Sequence, residues 1–257
     1  MSQHHRRAEA SSLGVSPQQC TPPALHPGLV ARPRVMELFD ANATPVVLVS
    51  AGAGYGKTTA IRQWVDGDER PLGWLTVGPH DNDPVVFVRA LASCVDQVVP
   101  VPEALVAARD PAPSMIENVL ALLESALAEP HEPFLIVVDD LERISNAATF
   151  SHLDRLLDNV AAGSRIVLSS RSTPPIRAAR RVIDGGLTEI GVYDLALTDD
   201  EIEAIIDASS PGIGPEVRRR VAKRAEGWPA GVQLASLALR NQTDAESIDH
   251  ALSGSGQ

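Results

Sequence analysis

The sequence predicts an α/β protein with a mainly parallel central sheet covered on both faces by helices, followed by a smaller, wholly helical C-terminal subdomain. Three observations carry this reading. Short, almost continuously apolar runs alternate with segments of helical periodicity, the pattern of strands buried on both faces. The first of these runs breaks directly into a glycine-rich turn and then a helix. From Thr198 onward only helical periodicity is found.

Taken in order, residues 1–28 are polar and carry Pro22, Pro23 and Pro27, which predicts a flexible N-terminal arm. Leu29 to Phe39 reads as an extended entry and a short helix, with Pro33 in its first turn. Strands are expected at 45–50, 72–77, 134–140, 164–171 and 187–190. Helices are expected at 57–66, 85–99, 115–128 and 147–160, with a proline-rich surface connection over 100–113. The C-terminal helices should span 199–207, 215–225 and 229–239, the first two parted by a Gly-Pro-Ser break. The expected division is an arm at 1–28, an α/β domain at 29–193, a helical lid at 194–252 and a flexible tail at 253–257.

The chemistry starts at Ser50-Ala51-Gly52-Ala53-Gly54-Tyr55-Gly56-Lys57-Thr58-Thr59. Glycines let backbone N–H groups curl round an anion, and the helix starting near Lys57 aims its unpaired N–H groups and its dipole at the same point. Lys57 would neutralise the β- and γ-phosphates of a nucleotide, and the Thr58 hydroxyl would ligate magnesium. In the pattern G-x-x-x-x-G-K-[ST] the first glycine falls on Ala51, so the strict pattern is not met. The bland alternative is a glycine-rich turn without a ligand.

In a parallel sheet, ligands bind outside the carboxyl ends of the strands. Asp139-Asp140 closes the strand Phe134 to Val138, and Arg171 closes the strand Ser164 to Ser170, so both should share a rim with the loop. Asp139 would hold magnesium, partly through water, and Asp140 would orient or polarise an attacking water. The lesser alternative is that the two acids simply cap the next helix. Arg171 is expected either to sense the γ-phosphate or to form a surface ion pair. His80, Asp81 and Asp83, in the loop after the strand at 72–77, suggest turns and caps more than a metal site; Asp83 before Pro84 has the form of a helix cap.

Composition narrows the function classes. The apolar fraction of 44% and charged fraction of 21% are those of a globular protein. The net charge of −11 argues against nucleic acid or anionic lipid as a general partner. Arg218, Arg219, Arg220, Lys223 and Arg224 form a basic stretch, and Leu197 to Glu201 resembles the opening of a helix-turn-helix. The chain then runs into Gly227-Trp228-Pro229 and not into a second groove-reading helix, so no direct nucleic-acid contact is expected. Cys20 and Cys94 have no metal-type spacing, and neither a secretory signal nor a membrane span is apparent, which predicts a cytoplasmic protein.

These motifs together resemble the nucleotide-binding domain of the signal-transduction ATPases with numerous domains (STAND), a class of P-loop NTPases, and within it the large LuxR-type transcriptional regulators. The matching segments are Ser50 to Thr59, Gly73-Trp74-Leu75 with Asp81 to Pro84, Val137 to Asp140, Ser169 to Arg171, Asp194 to Thr198 with Glu201, and Gly227 to Gly231. The resemblance covers about residues 29–240. It implies a P-loop NTPase fold with a helical lid, and binding of ATP or ADP with Mg2+. The phosphates would lie on Ala53, Gly54, Tyr55, Gly56, Lys57, Thr58 and Thr59, with Val30, Arg32 and Pro229 near the base. It implies an ATP-favoured, self-associating form reset by slow hydrolysis, for which Lys57, Asp139, Asp140 and Arg171 would be the catalytic set. Such proteins usually continue into sensor and DNA-binding domains, so this chain would be a fragment or a short protein acting through partners. A nucleotide-holding module without turnover and a small-molecule kinase are the alternatives; nothing in the chain marks an acceptor pocket for the latter.

Overall fold

The structure, a computed structural model, describes residues 16–26, 29–101, 113–129 and 132–240. Most of the expected arm, the middle of the proline-rich connection, the end of the expected lid and the tail lie outside the described residues. The strands are β1 (Val46–Ser50), β2 (Leu72–Thr76), β3 (Leu135–Asp139), β4 (Arg165–Ser170) and β5 (Leu187–Ile190). They form one five-stranded sheet in the order β2-β3-β4-β1-β5, and every pairing is parallel.

The helices are α1 (Pro33–Asp40), α2 (Lys57–Asp66), α3 (Pro84–Val95), α4 (Pro113–Ala128), α5 (Ala147–Leu156), α6 (Ala178–Ile183), α7 (Val192–Leu195), α8 (Asp199–Ser209), α9 (Pro215–Ala225) and α10 (Pro229–Arg240). A 3-10 turn, Leu141–Arg143, follows β3. This turn, α6 and α7 were not anticipated from periodicity, because segments of three to six residues are too short to show one.

Alternation along the strands divides the core into two layers. Val46 and Leu48, Ile136 and Val138, and Ile166 and Leu168 face a cluster with Phe87 and Leu91 of α3, Leu120 and Leu123 of α4, and Phe150 and Leu153 of α5. Val47 and Val49, Leu135 and Val137, and Val167 face the opposite cluster, with Phe39 of α1 and Ile61 and Trp64 of α2. Phe39 and Trp64 stack there at 4.9 Å between ring centroids. Each such fully buried side chain contributes about 1.5–3 kcal/mol, which is why the strands read as unbroken apolar runs. The C-terminal helices keep a core of their own, in which Ile202 and Ile206 of α8 meet Val221 of α9 and Val232 of α10.

Local chemistry sets the helix starts. Asp83 caps α3 by accepting from the N–H groups of Val85 at 2.8 Å and Val86 at 3.3 Å, with Pro84 in the first turn. Asp81 accepts from the Gly78 N–H at 2.6 Å and from Gln19 Nε2 at 2.9 Å. Asn82 Oδ1 accepts from the N–H groups of Ser145 and Asn146 at 2.7 and 2.9 Å, joining this loop to the start of α5. The acidic loop is therefore turn and cap chemistry. Part of the expected flexible arm departs from that description: Gln19 is seated on β2, its carbonyl accepting from the Thr76 N–H at 2.8 Å.

Candidate functional site

With all strands parallel, the carboxyl ends of β1, β3 and β4 open on one rim. Ser50 is in register with Ser170, and Thr76 with Asp139. Because β4 lies between β1 and β3, Ser169 and Ser170 separate the loop after β1 from Asp139. The loop turns through Gly54 and Gly56 at φ 77° and 75°, a left-handed conformation that favours glycine. Gly56 is also the N-cap residue of α2, so the free N–H groups of that helix open onto the loop.

Lys57 is buried, and its ammonium group donates to the carbonyls of Ala51 at 2.7 Å and Gly52 at 3.2 Å. Burial pulls its pKa below the ordinary lysine value, while the negative charges of Glu142 and Asp139 oppose that shift. Thr58 Oγ1 donates to Asp139 Oδ2 at 2.8 Å, so the hydroxyl and carboxylate expected to share a magnesium ion already touch. Asp139 is 2% exposed. Burial raises its pKa, partly countered by the hydrogen bond from the Thr58 hydroxyl.

The site fits a phosphate chain on the structure's own terms. A Cβ placed on Gly56 would meet nothing within 4 Å, so the space in front of the α2 N-terminus is open. Among the described residues no group of three His, Cys, Asp or Glu side chains could hold a metal ion, so magnesium at Thr58 and Asp139 would take its remaining ligands from water and the nucleotide.

The other expected site residues divide in two. Tyr55 packs half-buried against the α1/α2 side of the core, and Thr59 sits half-buried in the first turn of α2. Asp140 adopts a left-handed backbone at φ 63° and pairs with Arg143 at 3.4 Å. Arg171 forms an ion pair with Glu142 at 2.6 Å, so the surface-pair reading describes its geometry here. Val30 lies beside α2, its carbonyl accepting from Gln63 Nε2 at 3.3 Å. Arg32, expected near the base, is buried and donates to the carbonyls of Leu195 at 2.9 Å and Ala196 at 3.2 Å and to the Glu201 carboxylate. The physical reason is that the chain before α8 leaves carbonyls uncovered, and a planar guanidinium satisfies several at once. Pro229 is the first residue of α10, which brings the lid to the loop. Trp228 Nε1 donates to the Ala53 carbonyl at 3.0 Å, and the Ala230 N–H donates to the Gly54 carbonyl at 3.0 Å.

Two residues escaped the sequence reading. Glu142 lies in the 3-10 turn after β3, where its charge opposes the lowering of the Lys57 pKa; its only sequence signal is an acid two positions beyond Asp140. Trp228 belongs to the Gly227-Trp228-Pro229 motif, but nothing in spacing says that its indole lands on the loop.

The family model described as the AAA ATPase domain matches residues 33–168, more than half of the chain. The chain belongs to the AAA ATPase domain family. Relatives of this AAA ATPase domain include the HTH-type transcriptional regulators MalT of Vibrio cholerae, 29% identical over 91% of this chain and 26% of that protein, and of Klebsiella pneumoniae, 30% identical over 88% and 25%. The chain thus spans about a quarter of the length of these regulators. A STAND protein with a tetratricopeptide repeat sensor from Pyrococcus horikoshii superposes with a TM-score of 0.58 at 13% identity, covering 91% of this chain and 33% of that one. A Walker-type ATPase of Pyrococcus abyssi gives a TM-score of 0.56 at 11% identity, covering 87% and 71%. The AAA ATPase domain thus shares the fold of these two ATPases, built on a wholly parallel sheet. Among the described residues no helix is long and apolar enough to cross a membrane.

Proposed function

We propose that the chain is an ATP-binding, slowly hydrolysing switch domain of a LuxR-type STAND regulator, working in the cytoplasm through self-association or through sensor and DNA-binding domains of a parent protein. The observation that supports this best is the Thr58–Asp139 bond beneath a lysine-bearing glycine loop, the pair of groups that magnesium and a terminal phosphate require. In this reading Lys57 neutralises the β- and γ-phosphates, Thr58 and Asp139 hold Mg2+, and the backbone of residues 53–59 cradles the phosphates. Mg2+ supplies charge neutralisation when bound. Asp140 orients the attacking water, Arg171 stabilises charge developing on the terminal phosphate, and Val30, Arg32 and Pro229 flank the base.

Single-turnover release of phosphate from bound ATP tests the hydrolytic half. Asp140→Asn should keep nucleotide affinity and slow release by about a hundredfold, the lower end of what a positioned base contributes. Release unchanged in that variant would remove Asp140 from the mechanism. A module that holds nucleotide without turnover is favoured by one observation: Asp140 and Arg171 are both paired, with Arg143 and Glu142. Binding with no phosphate release from the wild-type chain would decide for it.

A further inference from the structure

Glu142 lies outside the motifs of the phosphate loop and of the paired acids, yet its surroundings are unusual. Its side chain is 17% exposed while that of Arg171 is 59% exposed, so the acid is the anchored partner of the pair and the arginine can swing away from it. Only Oε1 is engaged, at 2.6 Å from Arg171 Nε. Oε2 is buried and meets no hydrogen-bond donor among the described residues. A buried carboxylate oxygen left without a donor is costly, and a half-satisfied pair is easily exchanged. Glu142 follows β3 and Arg171 follows β4, so the pair lies on the same rim as the phosphate loop, and the Glu142 charge acts on Lys57.

We propose that Glu142 is a specificity-determining residue that sets the preference for triphosphate over diphosphate: it holds Arg171 when no terminal phosphate is present, and Arg171 exchanges it for that phosphate. This rests on the ATP-binding reading above. The exchange moves no covalent bond; it trades one charge-assisted contact of Arg171 for another and leaves Glu142 facing Lys57. Binding of a triphosphate therefore carries the cost of breaking the Glu142–Arg171 pair, a cost that ADP does not meet. An effect of Glu142 through Lys57 would persist without Arg171, so the double variant isolates the arginine.

The test is equilibrium binding of ADP and of a non-hydrolysable ATP analogue, each with Mg2+, to wild type, Glu142→Gln, Arg171→Ala and the double variant. Glu142→Gln should raise the preference for the triphosphate by about tenfold, the effect of roughly one charge-assisted hydrogen bond. Arg171→Ala should lower it by a similar factor, and adding Glu142→Gln to Arg171→Ala should change it no further. The Arg171→Ala arm stands alone if Glu142→Gln fails to fold. An unchanged preference in Arg171→Ala, or an equal effect of Glu142→Gln with and without Arg171, overturns the proposal while leaving ATP binding intact. Failure of the wild type to bind either nucleotide overturns the ATP reading and this inference with it.

Discussion

Gly54 and Gly56 share a left-handed backbone, but their surroundings differ, and that difference can be measured. A Cβ on Gly54 would fall 2.7 Å from both Ala230 Cβ and Trp228 Nε1, whereas one on Gly56 would meet nothing within 4 Å. Gly56→Ala should therefore cost only the backbone term, about 1–2 kcal/mol in denaturant unfolding. Gly54→Ala should cost more, and should also shift the tryptophan emission, because the half-buried Trp228 must move while Trp64 and Trp74 stay in the core. Equal losses in the two variants would mean that the lid does not rest on the loop. At this scale the sequence disclosed Lys57, Thr58 and Asp139, since each belongs to a motif whose spacing carries its own geometry. It did not disclose Glu142 or the position of Arg32. Both depend on which carbonyls and cations a turn happens to face, and no local periodicity records that.

The element that ties the lid to the sheet is the start of α8. Thr198 and Glu201 form a reciprocal cap at 3.0 and 3.2 Å, and the same Glu201 carboxylate receives Arg32 at 3.3 Å and Arg34 at 3.4 Å. Burial would raise the Glu201 pKa, but the Thr198 N–H and the Arg32 guanidinium, helped by Arg34, hold it below its ordinary value of 4.5. A depressed carboxylate stabilises the fold above its unfolded pKa, and that stabilisation is lost as pH falls through the folded value. The junction should thus loosen in acid, below about pH 4.5, seen as faster proteolysis between α7 and α8. Glu201→Gln should give the loosened state already at pH 7 and flatten this pH dependence; a junction equally protected in that variant would contradict the role. Strand positions were legible because burial on both faces imposes apolar runs, and the capping pairs of α3 and α8 because their residues are adjacent in sequence. The short α6 and α7 were not.

For the whole molecule, charge and topology matter most. The net charge is −11, and the basic face of α9 is partly neutralised within the lid, Arg218 pairing with Asp207 and Arg219 with Glu216. The chain should show no salt-dependent retardation of duplex DNA at 0.15 M salt; a steep salt-dependent affinity would contradict this. The parallel sheet was predictable from buried strands alternating with helices. The order β2-β3-β4-β1-β5 was not, since strands equally apolar on both faces carry no label for their neighbours. That order matters, because it sets β4 between the loop strand and the Asp139 strand and lets Arg171 reach Glu142. Everything proposed for the site depends on the loop gripping phosphate through its amides and the Lys57 ammonium. Titration calorimetry of Mg-ATP into wild type and Lys57→Ala tests this most directly. Saturable one-site binding to wild type, weakened about a hundredfold or more in a folded Lys57→Ala, is the predicted result, matching roughly 3 kcal/mol of charge-assisted contact. Equal affinity in the two proteins, or no heat of binding to the wild type, would contradict it.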